Sequence, residues 1–207
     1  MSLAVFTDPR SAARCLERLS HAAGASFDSL RSHLLGTLAA CADPDRGLVT
    51  FERFAEAYGP AALFSALARH PRSLEILITI FAGSHFLSEI LLRSPQMLRL
   101  LQHPRRLAQR KNAAQIAREA AEALKAEMKW EEKLDALRRY QRGELLRIGA
   151  CDLLDLYDLP AVYTQLSALA DGLAEECLEA ARGREGEFVV LAMGKLGGGG
   201  VKLFVGY

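Results

Sequence analysis

The sequence predicts a mainly α-helical protein, a multi-helix bundle followed by a short β-hairpin. Three observations predict it. Apolar residues recur at helical spacing from about residue 10 to residue 182. Proline, serine and aspartate stand where helices begin. After Glu187 the period changes: two apolar, strand-length runs, "FVVLAM" and "VKLFVGY", flank Gly197–Gly200.

Taken in order, "DPRSAARCLERL" opens with Asp8 as an N-cap and Pro9 in the first turn. "SFDSLRSHLLGTLAACA" puts Phe27, Leu30, Leu34, Leu35 and Leu38 on one face. It stops at "DPDRG", which reads as a turn; the third oxygen ligand and closing glutamate of an EF-hand loop are missing. Short apolar helices follow, with Pro60, Pro71 and Pro95 at starts and Ser84 as a cap. Breaks are expected near Asp43–Gly47, Gly59, His70–Pro71, Gly83 and His103–Pro104. The long segment after Pro104 is expected to be the spine of the bundle, with Ile116, Ala120, Leu124, Met128, Leu134, Leu137, Leu145 and Ile148 as its stripe and Gly143 as a point of bending or interruption. A last amphipathic helix ends at Gly183. The domains expected are a helical one over 1–183 and a second over 184–207.

Composition excludes several classes. Lys plus Arg total 26 and Asp plus Glu 25, so no global charge points to nucleic acid. Arg105, Arg106, Arg110 and Lys111 form a basic cluster without interleaved aromatics, which reads as a solvated helix start. The four cysteines and five histidines have no metal-ligand spacing, so the thiols are expected to be reduced and mostly buried, and no metal site is expected. No signal peptide and no membrane span are read, which makes the expected location cytoplasmic. Arg138 and Arg142 are i, i+4 neighbours and Glu144 and Arg147 are i, i+3; an ion-pair network between helices is favoured for them over a phosphate-facing role.

Three stretches in order, "LRRYQRGELLRIGACDLLDL", "LSALADGLAEECLEAA" and "FVVLAMGKLGGG", resemble the bifunctional glutamine synthetase adenylyltransferase/adenylyl-removing enzymes, as does the upstream "LARHPRSLEILITIFAGSHFLSEILLRSPQMLRLL". The wording "MGKLGGG" resembles the adenylyl-removing half, which releases AMP from a tyrosine of glutamine synthetase by phosphorolysis. The resemblance implies that the hairpin is the truncated start of a nucleotidyltransferase fold, that Gly194, Lys195, Gly197 and Gly198 belong to a nucleotide-binding loop, and that Mg2+ and ATP or AMP are the cofactors of the full-length family. Glycine-rich backbone lets amide groups approach phosphate oxygens, and Lys195 would add a point charge. Glutamine synthetase is the implied partner, with a nitrogen-signalling regulatory protein as another.

The sequence departs from the family after the loop. The S-x-D-x-D motif that holds the metal ions is missing, and no Asp, Glu, Ser or Thr follows Glu187. No catalytic residue is therefore assigned, no tight cofactor binding is expected, and the 207-residue chain is expected to be inactive alone. A helical protein-interaction module without nucleotide chemistry is the other reading. A homodimer through the C-terminal edge strand is also expected, since Lys202 alone guards it.

Overall fold

The computed structural model describes residues 5–124 and 128–181 and positions 191, 193 and 194. Among them the protein is mainly helical, as the periodicity predicts, and no strand occurs. The predicted hairpin lies outside the described residues. The described chain forms two compact units that meet in sequence between Pro104 and Arg105.

The first unit holds α1 (Pro9–Ala23), α2 (Ala25–Ala39), α3 (Pro44–Tyr58), α4 (Pro60–Arg69), α5 (Arg72–Gly83), α6 (His85–Arg93), a 3-10 turn at Pro95–Met97 and α7 (Leu98–Leu101). Its starts follow the sequence signals. Asp8 accepts from the backbone N–H groups of Arg10 and Ser11, and Ser84 from that of Leu87. Its core is aromatic: Phe64 meets Phe27 and Phe51 edge-on at 5.5 and 6.0 Å, and Phe54 meets Phe81 at 5.4 Å. All five rings are fully buried.

Two details of this unit differ from expectation. The break at "DPDRG" closes before Gly47, because Asp43 caps α3 and Pro44 occupies its first turn. An additional break falls at Gly24, whose φ of 55° is open to glycine at no steric cost and separates α1 from α2.

The second unit holds α8 (Pro104–Leu107, beginning at the boundary), α9 (Ala113–Glu122), α10 (Trp130–Leu153) and α11 (Leu159–Ala181). The expected single spine is therefore three helices. Asn112 starts α9 afresh, accepting from the Gln115 N–H while the Gln115 side chain accepts from the Asn112 N–H. Glu132 likewise accepts from the Lys129 N–H at the start of α10. Gly143 does not interrupt α10, which continues to Leu153. Asp155, at φ 53°, turns the chain from α10 into α11, and Asp158 accepts from the Ala161 N–H at the start of α11. Gly172 lets α9 and α11 touch: a Cβ there would lie 2.7 Å from the Ala113 carbonyl oxygen. None of the described helices is long and apolar enough to cross a membrane.

Candidate functional site

The polar residues of the second unit converge on Arg147. Helical spacing sets Glu144 one turn before it on α10, and the two side chains pair at 2.9 Å with 7% and 5% exposure. The remaining guanidinium donors are used as well. Nη1 donates to the Gln109 carbonyl at 2.7 Å, to the Tyr157 hydroxyl at 2.7 Å and, at 3.5 Å, to the Leu107 carbonyl; Nη2 donates to Gln165 Oε1 at 2.8 Å. The planar fork of an arginine suits such a many-acceptor site.

Lys111 supplies the second cation. Its Nζ lies 2.5 Å from Glu119 Oε2 and 2.8 Å from Glu144 Oε1, and Tyr140 donates to the same Glu119 oxygen at 2.9 Å. Its backbone is held too: the N–H donates to Gln165 Oε1 at 2.9 Å, and Gln165 Nε2 donates to the Lys111 carbonyl at 2.6 Å. Two cations thus face two carboxylates, which is what burial of charge requires. Among the basic residues expected at a solvated helix start, Lys111 is the correction: its side chain is only 12% exposed, because the two carboxylates draw it inward. Arg110 stays at the surface, over the Tyr157 ring and 3.6 Å from Asp158.

Electrostatics fix the protonation states. Burial opposes the charge on Arg147, yet Glu144 and the Tyr157 oxygen outweigh it and hold its pKa above the ordinary value. Burial raises the pKa values of Tyr140 and Tyr157, so both stay neutral hydroxyls. Burial also pushes the Cys151 thiol up to about 11, and it donates to the Leu107 carbonyl at 3.2 Å. A thiol so placed is not a nucleophile at neutral pH. All four cysteines are free; of the thiols expected to be mostly buried, Cys15 and Cys151 are, whereas Cys41 is half-buried and Cys177 exposed. No group of three potential metal-ligating side chains exists among the described residues.

Beside the cluster lies an open recess of ≈ 610 Å3, lined among others by Arg110, Lys111, Asn112, Gln115, Thr164 and Asp171. Of the loop residues read from the sequence, Gly194 is described, exposed and at φ 60°. Lys195, Gly197 and Gly198 lie outside the described residues. Arg138 is exposed and pairs with Asp135 at 2.9 Å; Arg142 is exposed. Sequence reasoning missed Lys111, Glu119, Tyr140, Tyr157 and Gln165. One signal was available: Lys111 directly precedes a capped helix start, where the macrodipole disfavours a cation unless carboxylates hold it.

Fold and site together define a helical scaffold around an internally neutralised polar cluster. The family model for glutamate-ammonia ligase adenylyltransferase matches residues 74–203, more than half the chain. Curated relatives named bifunctional glutamine synthetase adenylyltransferase/adenylyl-removing enzyme include that of Leifsonia xyli, 30% identical over 93% of this chain and 20% of the relative. Those of Thioalkalivibrio sulfidiphilus and Chromobacterium violaceum are 26% and 31% identical, over 92% and 93% of this chain and 22% and 24% of theirs. The chain belongs to the glutamate-ammonia ligase adenylyltransferase family. It spans about a fifth of the length of the curated relatives it matches.

Proposed function

We propose that this chain is the helical region, with the first strand and nucleotide loop, of the adenylyl-removing half of such an enzyme. Its substrate would be adenylylated glutamine synthetase, with Mg2+ and ATP or AMP as cofactors of the complete protein. The observation that carries the reading is the order of motifs: the arginine-rich centre of α10, then α11, then Gly194–Gly198, all within the family match. In this reading residues 1–183 are the helical domain and 184–207 begin the nucleotidyltransferase fold. The loop glycines and Lys195 receive the phosphates. A polypeptide of these 207 residues performs no transfer, because the acidic pair the chemistry needs is not in it.

The test is nucleotide titration of this polypeptide. Weak binding of ATP or AMP with Mg2+ is expected, and Lys195→Met should abolish it. Binding indifferent to Lys195 would remove the loop assignment. Metal- and phosphate-dependent AMP release from adenylylated glutamine synthetase would overturn the inactivity.

The second reading is a protein-interaction module. What favours it is that Arg147 and Lys111 are satisfied internally. It requires glutamine synthetase to bind this polypeptide without nucleotide. The terminal hairpin and the dimer seeded by its edge belong to the first reading; unchanged sedimentation and melting after removal of residues 188–207 would eliminate the dimer and make the tail a passive remnant.

A further inference from the structure

We propose that residues 108–112 form a strap, latched by side chains alone, that lifts away from α10 and α11 as one piece while those helices stay folded. The segment lies between α8 and α9 and has no regular structure. None of its apolar side chains is buried: Ala108 is half-buried, Gln109, Arg110 and Asn112 are exposed, and the one inward side chain is that of Lys111, 12% exposed. Little apolar burial therefore opposes its release, and segments with few buried apolar contacts open first.

Side chains of α10 and α11, with Tyr157 in the turn between them, hold it down. Arg147 and Tyr157 both donate to the Gln109 carbonyl, at 2.7 and 3.0 Å. Gln165 bonds both backbone groups of Lys111. Two charged anchors add to these: Lys111 Nζ between Glu119 and Glu144, and, at the surface, Arg110 over the Tyr157 ring and 3.6 Å from Asp158. Both ends are fixed separately. Leu107, at 1% exposure, anchors one, and α9 packs through buried Ile116, Ala117 and Ala120 at the other.

Lifting the strap takes the inward cation away and leaves the other charges partnered or open to water. Glu144 keeps Arg147 at 2.9 Å, and Glu119 keeps the Tyr140 hydroxyl. Glu119 loses its cation but is 32% exposed, so water can solvate its charge, which separates this opening from unfolding of the unit. The same movement dismantles the recess, since Arg110, Lys111 and Asn112 form part of its lining. A filled recess and a lifted strap are thus mutually exclusive, so any occupant of the recess would keep the latch closed.

Native-state hydrogen exchange on the 207-residue chain tests this. The Lys111 amide is bonded only through the latch, whereas Ile148 lies fully buried in α10. Lys111 is expected to exchange at least roughly tenfold faster than Ile148, with a weaker denaturant dependence. Tyr157→Phe removes the latch hydrogen bond to Gln109 and one acceptor of Arg147, and should speed Lys111 exchange by about fivefold while changing Ile148 less. Equal protection and equal denaturant dependence for the two amides would overturn the proposal. So would a Tyr157→Phe effect of the same size on both.

Discussion

Glu52 sits on the inner face of α3 at 9% exposure, and Arg18 is what makes a carboxylate tolerable there. The two meet through paired contacts of 2.5 and 2.8 Å. Hydrogen bonding from Arg18 holds the Glu52 pKa below its ordinary 4.5, with burial opposing. A lowered carboxylate contributes stability that is complete above the unfolded value and lost as pH falls through the folded one. Melting temperature is therefore expected to fall as pH drops below about 4.5, and Glu52→Gln should flatten that fall while lowering stability at pH 6. Parallel acid limbs for the two proteins would contradict the assignment. At this scale the sequence was legible where partners were local. The Glu144–Arg147 pair follows from i, i+3 spacing, but it and the Arg138–Asp135 pair lie within α10, so the expected ion pairing between helices is replaced there by hydrogen bonds from Arg147 to other segments. Its bonds to the Gln109 carbonyl and Tyr157 depend on tertiary placement that no local spacing encodes.

Among the elements, two helix-interior glycines give opposite predictions. Gly36 lies in α2 with nothing within 4 Å of where an added Cβ would stand, so Gly36→Ala should stabilise by about 0.5–1 kcal/mol through lost unfolded-state entropy. At Gly172 a Cβ would meet the Ala113 oxygen at 2.7 Å, Ile116 Cγ2 at 2.9 Å and the Ala117 nitrogen at 3.0 Å. Two of those atoms are backbone and cannot rotate away. The overpacking cost of about 1–3 kcal/mol outweighs a helix-propensity gain of roughly 1 kcal/mol. Urea denaturation of both variants checks the signs; a stabilised Gly172→Ala would show that α9 and α11 separate easily. Helix starts were legible from Asp8, Pro60 and Ser84, because a cap is a local event. The break at 108–112 was not, since its carbonyls are satisfied by residues far along the chain.

For the whole molecule, the predicted helical region resolves into two compact units, and each has a characteristic core. The first is phenylalanine-rich, and the second packs small residues and leucines around the polar cluster. Phe54→Ala removes a fully buried ring and should cost about 3–5 kcal/mol in the first unit. The chain's single tryptophan, Trp130, opens α10 and reports on the second. Far-UV circular dichroism of Phe54→Ala is expected to lose its first-unit transition early while the Trp130 fluorescence midpoint holds. Equal shifts of both signals would mean that the units unfold as one. Composition and period revealed the helical class. The division at Pro104–Arg105 was hidden because the apolar stripe continues past it, as Leu107 and Ile116 show.

Among the described residues, each unit is an unbroken stretch of chain, and this has a consequence for synthesis. Translation at about 5–20 residues per second needs several seconds to add residues 105–181 once residue 104 has been joined. Helical domains rich in local contacts fold in microseconds to milliseconds. The phenylalanine core is therefore expected to have time to assemble on the ribosome before the second unit is complete. Defects in that core would be met by chaperones on nascent chains, whereas defects in the Arg147 cluster would surface only later in synthesis.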